Sequence, residues 1–410
     1  MLSSREKEVL RALAGEYMEY ATLPMQKEKI ELWKALNRCE MERPMVTIDQ
    51  LPWPELKCEE LVCRVEDRFW RGVERGLRQT LYQWKRFPVD MVLDPFIAIP
   101  MALERTGNGI QPIQETLGPE DSTAKSYRYI NQLVEMEDVR KILDDRVTHD
   151  EARTAQRMDQ AQELFAGIAP VRAAGCGFHL GVWDKISSYM SVEECYYAFY
   201  DKPELLHAAM ERVTEATILG IEDANRLGVH NDIANLCHCS YIYTDELLPE
   251  SGAGKGPYAH NCWCLGLAQL MTAVSPAIFE EFELPYITRM ASYFGAIYYG
   301  CCDRLDDRLD IVRRIPHVRK VSCSPWSDRA HFAASLGPGL VMSAKPTPSY
   351  LATASFDGGI VRKDLEYTCA LARRNGLSLE LLLKDVSTVK NDPARLTQWA
   401  DVAMQVVEGY

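Results

Sequence analysis

The sequence predicts an α/β chain folded as one (β/α)8 TIM-type barrel with a helical N-terminal extension and a long lid loop. Three observations predict it. Short apolar runs at 296–299, 318–322 and 340–342 each stop abruptly at polar or reactive residues: Cys301-Cys302-Asp303, Ser324-Pro325-Trp326 and Lys345-Pro346. Amphipathic stretches at 307–314 and 328–336 separate these runs, which is the alternation of a parallel sheet with helical crossovers. Eight candidate strands begin near residues 44, 91, 168, 229, 296, 318, 340 and 378, the number that closes such a barrel. Chemistry in these barrels sits at the C-terminal strand ends, so the groups that close each run are the first candidates for a site.

Residues 1–43 carry apolar positions at helical spacing, Val9, Leu10 and Leu13, then Ile30, Leu32 and Leu36. They read as a helical extension whose apolar stripe a monomer leaves partly exposed, so a homodimer is expected. The barrel occupies 44–410. Its first strand, at 44–49, leads into the Pro-punctuated loop holding Trp53, then a charged helix at 59–87 and a second strand at 91–100. Residues 101–166 are long for a minimal connection and read as an insertion with helices near 136–143 and 149–165.

The third strand, 168–174, runs into glycines 175, 177 and 181. Their spacing lacks a Walker ending and a clean GxGxxG, so close backbone packing explains them better than a phosphate loop. Trp183 and Asp184 follow, as pocket lining or as a helix start. A helix at 203–227 ends at Gly228 and leads to a fourth strand, 229–233, where His230, Asn231 and Asp232 bunch. A second insertion, 234–262, reads as the lid. Its Cys237-His238-Cys239 and the Cys262-Trp263-Cys264 beyond it crowd their donors too closely for a zinc knuckle. Ser275-Pro276 caps a helix over 277–294, the last strand closes at Lys384-Asp385, and a terminal helix covers 393–407.

Composition narrows the partners. The chain has 410 residues, 47% of them apolar, and 59 acidic against 46 basic residues give a net charge of −13. That balance argues against nucleic acid as the main partner. No apolar run approaches the ~18 residues that span a bilayer, and the start of the chain lacks a secretory pattern; no membrane association and a cytoplasmic location are expected. The 13 cysteines form no compact framework and read mostly as small buried apolar residues.

The exceptions are positional. Cys301, Cys302 and Asp303 end a strand and offer thiolate and carboxylate donors that suit Zn²⁺ with one open position. Two buried cysteines and an aspartate helix cap would read the same way. Neighbouring side chains diverge on an extended chain, so one of the two cysteines is the safer ligand. His230 and Asp232, at i and i+2, share a face and could add ligands or simply hydrogen-bond each other. Trp183, Trp263 and Trp326 fall near strand ends or the lid, where aromatic faces could sandwich a planar substrate; core packing explains each equally well. Gln269 and His230 could orient polar substituents on its ring.

The segments GFHLGVWDKISSYM at 177–190, DKPELLHAAMERVTEATILGIEDANRLG at 201–228 and VSPAIFEEFELPYITRM at 274–290, followed by the strand into Gly300-Cys301-Cys302, resemble the uroporphyrinogen decarboxylase superfamily from about residue 167 onward. The resemblance implies a (β/α)8 barrel and either decarboxylation or corrinoid-dependent, zinc-assisted methyl transfer. The decarboxylase's RQAGRY motif has no counterpart near the first strand. The methyltransferases that methylate coenzyme M carry HxC where this chain has Tyr299-Gly300-Cys301, so Cys301 is retained and the histidine is not; a later family cysteine is replaced by Lys384-Asp385.

The likeness is strongest to the methyltransferase and decarboxylase-like branch of anaerobic bacteria. It implies transfer of methyl from an O-methyl substrate, a methoxylated aromatic, to the cobalt of a partner corrinoid protein, with zinc as Lewis acid. On this reading Cys301, Cys302 and Asp232 hold the metal and Asp303 and His230 are catalytic. Trp183, Trp263, Gln269, Trp326 and Lys345 contact substrate. The alternative is a metal-free decarboxylase or lyase acting on an aromatic or tetrapyrrole acid, with Arg304, Lys345 and Lys384 as carboxylate clamps.

Overall fold

The computed structural model describes residues 2–117, 126–247 and 256–410. Its centre is a parallel sheet of seven strands: β1 (Met45–Ile48), β2 (His179–Leu180), β3 (Trp263–Gly266), β4 (Ala296–Tyr299), β5 (Val318–Cys323), β6 (Val341–Ala344) and β7 (Ser378–Leu383). The spatial order is β1-β7-β6-β5-β4-β3-β2, so the first strand pairs with the last, Val46 opposite Leu381. Strands β1, β4, β6 and β7 are buried along their whole length. Continuous burial is what a parallel sheet covered on both faces requires, and it explains why these strands read as unbroken apolar runs.

Three of the eight expected strands lie outside this sheet. Ile97–Pro100 pairs only with Val171–Ala174, in a separate parallel ribbon. The expected fourth strand, 229–233, is reduced to one bridge between Cys176 and His230. In their place stand β2 and β3, from stretches that the sequence assigned to a glycine turn and to the region just past the lid. Among the described residues the hydrogen-bonded ladder runs over seven parallel strands and does not continue from β2 to β1, an arrangement consistent with a TIM-like fold in which closure of the eight-stranded barrel is not detected.

The segment expected to be a lid is folded inward. Leu236–Cys237 and Ser240–Tyr241 form a tiny antiparallel hairpin with His238 and Cys239 at its turn, and His238 takes φ 51°. Thr47 Oγ1 on β1 donates to the Cys239 carbonyl (3.0 Å). Ser240 Oγ donates to Glu380 Oε2 on β7 (2.8 Å). Lys320 Nζ on β5 donates to Glu380 Oε2 (2.8 Å), Ser240 Oγ (2.6 Å) and the Tyr241 carbonyl (3.0 Å). Residues 248–255 of the expected lid lie outside the described residues.

The N-terminal helices Ser4–Ala21 and Pro24–Asn37 begin with a Ser3/Glu6 capping box and with Pro24 in the first turn, where proline's missing N–H is harmless. Their apolar stripe is turned into the chain: Leu10 and Ala14 pack with Trp70 and Leu77, while Trp33 and Leu36 pack with Met45 and Val341. Val9, Leu13, Ile30 and Leu32 of the same stripe stay half-buried. The 101–166 excursion holds two antiparallel ribbons, Leu103–Arg105 with Val147–His149 and Gln114–Leu117 with Ser126–Tyr129, before the helix Glu151–Phe165.

The single helix expected over 277–294 is two, Pro276–Phe282 and Leu284–Ala291, because Pro285 cannot continue the first one's hydrogen bonds. Gly175 behaves as expected: a Cβ there would sit 2.2 Å from the Val229 carbonyl oxygen. No helix among the described residues is long and apolar enough to cross a membrane.

Candidate active site

Three strand ends and the hairpin turn converge. After β4, Gly300 adopts φ +93°, and a side chain there would strike Leu305 Cδ1 at 2.6 Å and Ser322 Cβ at 2.9 Å. Only glycine makes this bend without strain, and the bend delivers Cys301, Cys302 and Asp303 to the mouth of the sheet. Lys384 and Asp385 leave the end of β7, Lys345 leaves β6, and His238 enters from the hairpin.

Lys384 Nζ donates to Cys301 Sγ (2.9 Å) and to His238 Nε2 (2.8 Å), and Cys301 Sγ lies 3.2 Å from the same nitrogen. Cys302 Sγ is 3.6 Å from Cys301 Sγ and donates to Asp385 Oδ2 (3.0 Å). The Cys302 thiol, then His238 and Lys384, hold Cys301 well below the ordinary cysteine range although burial opposes them. Cys302 moves the other way, raised by the Cys301 sulfur beside it, by burial and by Asp385. Cys301 is therefore the thiolate and Cys302 the thiol. Burial disfavours the Lys384 ammonium, but Cys301, Cys302 and Asp385 outweigh it and keep the lysine charged.

Beside this pair is an acid. Asp303 is fully buried, its Oδ1 accepts the Cys301 N–H (2.5 Å), and its Oδ2 has no partner. Burial, reinforced by the Cys301 charge, raises its pKa although that backbone bond lowers it. Two more carboxyls stand close. Glu283, buried and accepting from Tyr299 OH (2.9 Å), has its pKa pushed well up by burial. Asp184, exposed at the mouth, is pushed up to about 6 by desolvation and by Asp303 and Cys301. His179 and Asp184 line a cavity of ≈ 480 Å³ with Arg105, Asn108, Lys185 and Tyr189, a volume suited to a small organic molecule. Neither this cavity nor one of ≈ 1020 Å³ beside the N-terminal helices is lined by Cys301, Asp303 or Lys384; His238 and His179 line a third, of ≈ 520 Å³, together with Trp263.

The expected site residues divide accordingly. Cys301, Cys302, Asp303 and Lys345 are brought together. Lys345 is buried and donates to Tyr298 OH (2.8 Å) and to Ser322 Oγ, which donates to the Cys301 carbonyl (2.6 Å). It braces the Cys301 turn rather than waiting for substrate. Asp232 is exposed and makes no hydrogen bond or ion pair to the cysteine cluster. Trp183 is fully buried against Phe199, a core residue. Trp263 begins β3, at the end of the sheet opposite the mouth. Gln269 is exposed beyond β3, and Trp326 is 73% exposed on the loop after β5.

His230 is not a catalytic group in this arrangement. It is buried between Phe178 and Phe294, its Nε2 3.4 Å from the Ile221 carbonyl, and burial lowers its pKa to about 4. A histidine buried neutral contributes stability that is complete above its unfolded pKa of ~6.5 and is lost as pH falls toward the folded value. Stability is therefore expected to decline between pH ~6.5 and ~4 by up to roughly 3 kcal/mol from this residue. Urea unfolding of His230→Gln across that window should lack this part of the slope; an unchanged slope would assign it elsewhere.

The residues whose roles were missed are His238, Lys384, Asp184, His179 and Glu283. Lys384 ends a strand, so the rule that found Cys301 applies to it. Nothing in the local pattern signals that His238 turns inward. The expected zinc donors do not assemble: among the described residues no group of three or more His, Cys, Asp or Glu side chains is arranged to hold a metal ion. Nor do the alternative carboxylate clamps, since Arg304 pairs with Asp306 (2.9 Å) and both lysines are engaged as described.

No family model and no curated protein matches the sequence. Among solved structures, a methyltransferase from Methanosarcina mazei superposes with a TM-score of 0.49 at 11% identity, over 91% of this chain and 97% of that one.

Proposed function

We propose that this chain is a methyltransferase that removes a methyl group from an O-methyl substrate, a methoxylated aromatic, for delivery to the cobalt of a separate corrinoid protein. The observation that carries the reading is Asp303: a buried carboxyl whose pKa burial raises, with one oxygen unpartnered at the mouth of the sheet. Breaking an aryl methyl ether expels a phenolate whose conjugate acid has a pKa of ~10, a poor leaving group unless its oxygen is protonated as the bond breaks. A positioned carboxylic acid does this and is worth ~10²–10⁴-fold in rate.

The remaining groups support that acid. Glu283 and Tyr299 lie behind it in the protein interior, and Lys345 fixes the backbone of Cys301 through Ser322. Asp184, which titrates near 6 at the cavity wall, relays protons between solvent and the interior. The sequence carries no DxHxxG-type cobalamin-binding motif, so the corrinoid comes on a partner. Zinc, which the sequence resemblance implies as activator of the departing oxygen, does not fit the donors assembled here, and the acid takes that role.

The purified chain, mixed with a Co(I) corrinoid protein and a panel of methoxyarenes, is expected to give methylcobalamin absorbance with at least one donor. Silence across ethers, amines and thiols would rule the reading out.

A further inference from the structure

The cluster around Cys301 has the shape of a metal site with a lysine in the metal's place. Cys301 Sγ and His238 Nε2 are 3.2 Å apart, and Lys384 Nζ stands against both, 2.9 Å from the sulfur and 2.8 Å from the nitrogen. A zinc ion held by these two atoms would need their lone pairs at ~2.0–2.3 Å, in the space the lysine Nζ fills.

Lys384 is not a loose surface chain that could swing aside. It is 2% exposed and lies 3.2 Å from Asp385 Oδ2, whose carboxylate also accepts from Cys302. A second buried lysine, Lys345, braces the other side of Cys301 through Ser322.

We propose that Lys384 stands in for a metal ion: its ammonium bridges Cys301 and His238 and makes the centre independent of zinc. Lys384 acts through Cys301 and is a positioning residue. The inference rests on the assignment of this cluster as the active site, but its test uses neither a methyl donor nor a corrinoid, so it can fail or succeed separately from the methyl-transfer reading.

One measurement decides it: Zn²⁺ binding by dialysis, with Co²⁺ as a visible probe of sulfur ligation. The wild type is expected to bind no stoichiometric zinc. Lys384→Ala, which vacates the point where Cys301 and His238 converge, is expected to gain a sulfur-ligated metal that Cys301→Ser in the same background removes. Stoichiometric zinc in the wild type that disappears in Cys301→Ser would overturn the proposal even if no lysine variant folds. A folded Lys384→Ala variant that gains no metal would overturn it as well.

Discussion

Glu380→Leu is expected to destabilise the protein by ~3–5 kcal/mol, the largest effect of any single substitution considered for this chain. Glu380 and Lys320 are both fully buried, and burial already disfavours the lysine's charge. Removing the carboxylate leaves the ammonium facing only Ser240 Oγ and the Tyr241 carbonyl, without a counter-charge. Lys320→Met combined with Glu380→Leu should recover most of the loss, because a buried ion pair replaced whole by apolar side chains is often neutral. Denaturant unfolding of the two single variants and the double closes the cycle. Additive losses in the double variant would mean that the two groups stabilise the fold separately.

Asp303→Asn should lower methyl transfer by ~10²–10⁴-fold while leaving the melting temperature nearly unchanged. The amide is nearly isosteric, its oxygen can still accept the Cys301 N–H, and what disappears is the transferable proton. The same argument fixes the pH dependence. An acid that works protonated is active below its pKa, so kcat/KM should fall as pH rises through the raised value of Asp303. A profile flat into the alkaline range, or wild-type turnover in the asparagine variant, would remove Asp303 from the chemistry.

How far the chain could be read from its sequence depended on the kind of burial each stretch has. Strands β4 to β7 were legible because both faces are covered and the apolar residues run together. The same rule put Cys301 and Asp303 at a strand end and marked Lys384 as the close of β7. It failed at β2, where the strand is only His179–Leu180, and at β3, whose Trp263 and Cys264 read as part of a metal-like pattern. It failed also at 229–233, where Val229 and His230 looked like a strand but pack with Phe178 and Phe294 as core. Trp183 and Trp263 show the limit for aromatic residues: the sequence places them near strand ends, and only the packing distinguishes a core face from a pocket wall. The site's dependence on His238 was beyond local reasoning, because the hairpin's partners, Thr47, Lys320 and Glu380, lie far away in the chain.

That dependence bears on the order of assembly. His238 is separated from Cys301 by 63 residues and from Lys384 by 146, and the hairpin that carries it is anchored to β1 and β7, whose pairing joins the two ends of the chain. Loop closure over such separations is slow. The turn can settle only after the ends have met, so Cys301 gains its imidazole and ammonium neighbours among the last contacts to form. Until then the chain holds an ordinary thiol in a half-built sheet, and the chemistry appears with the final closure rather than with the helices and central strands that precede it.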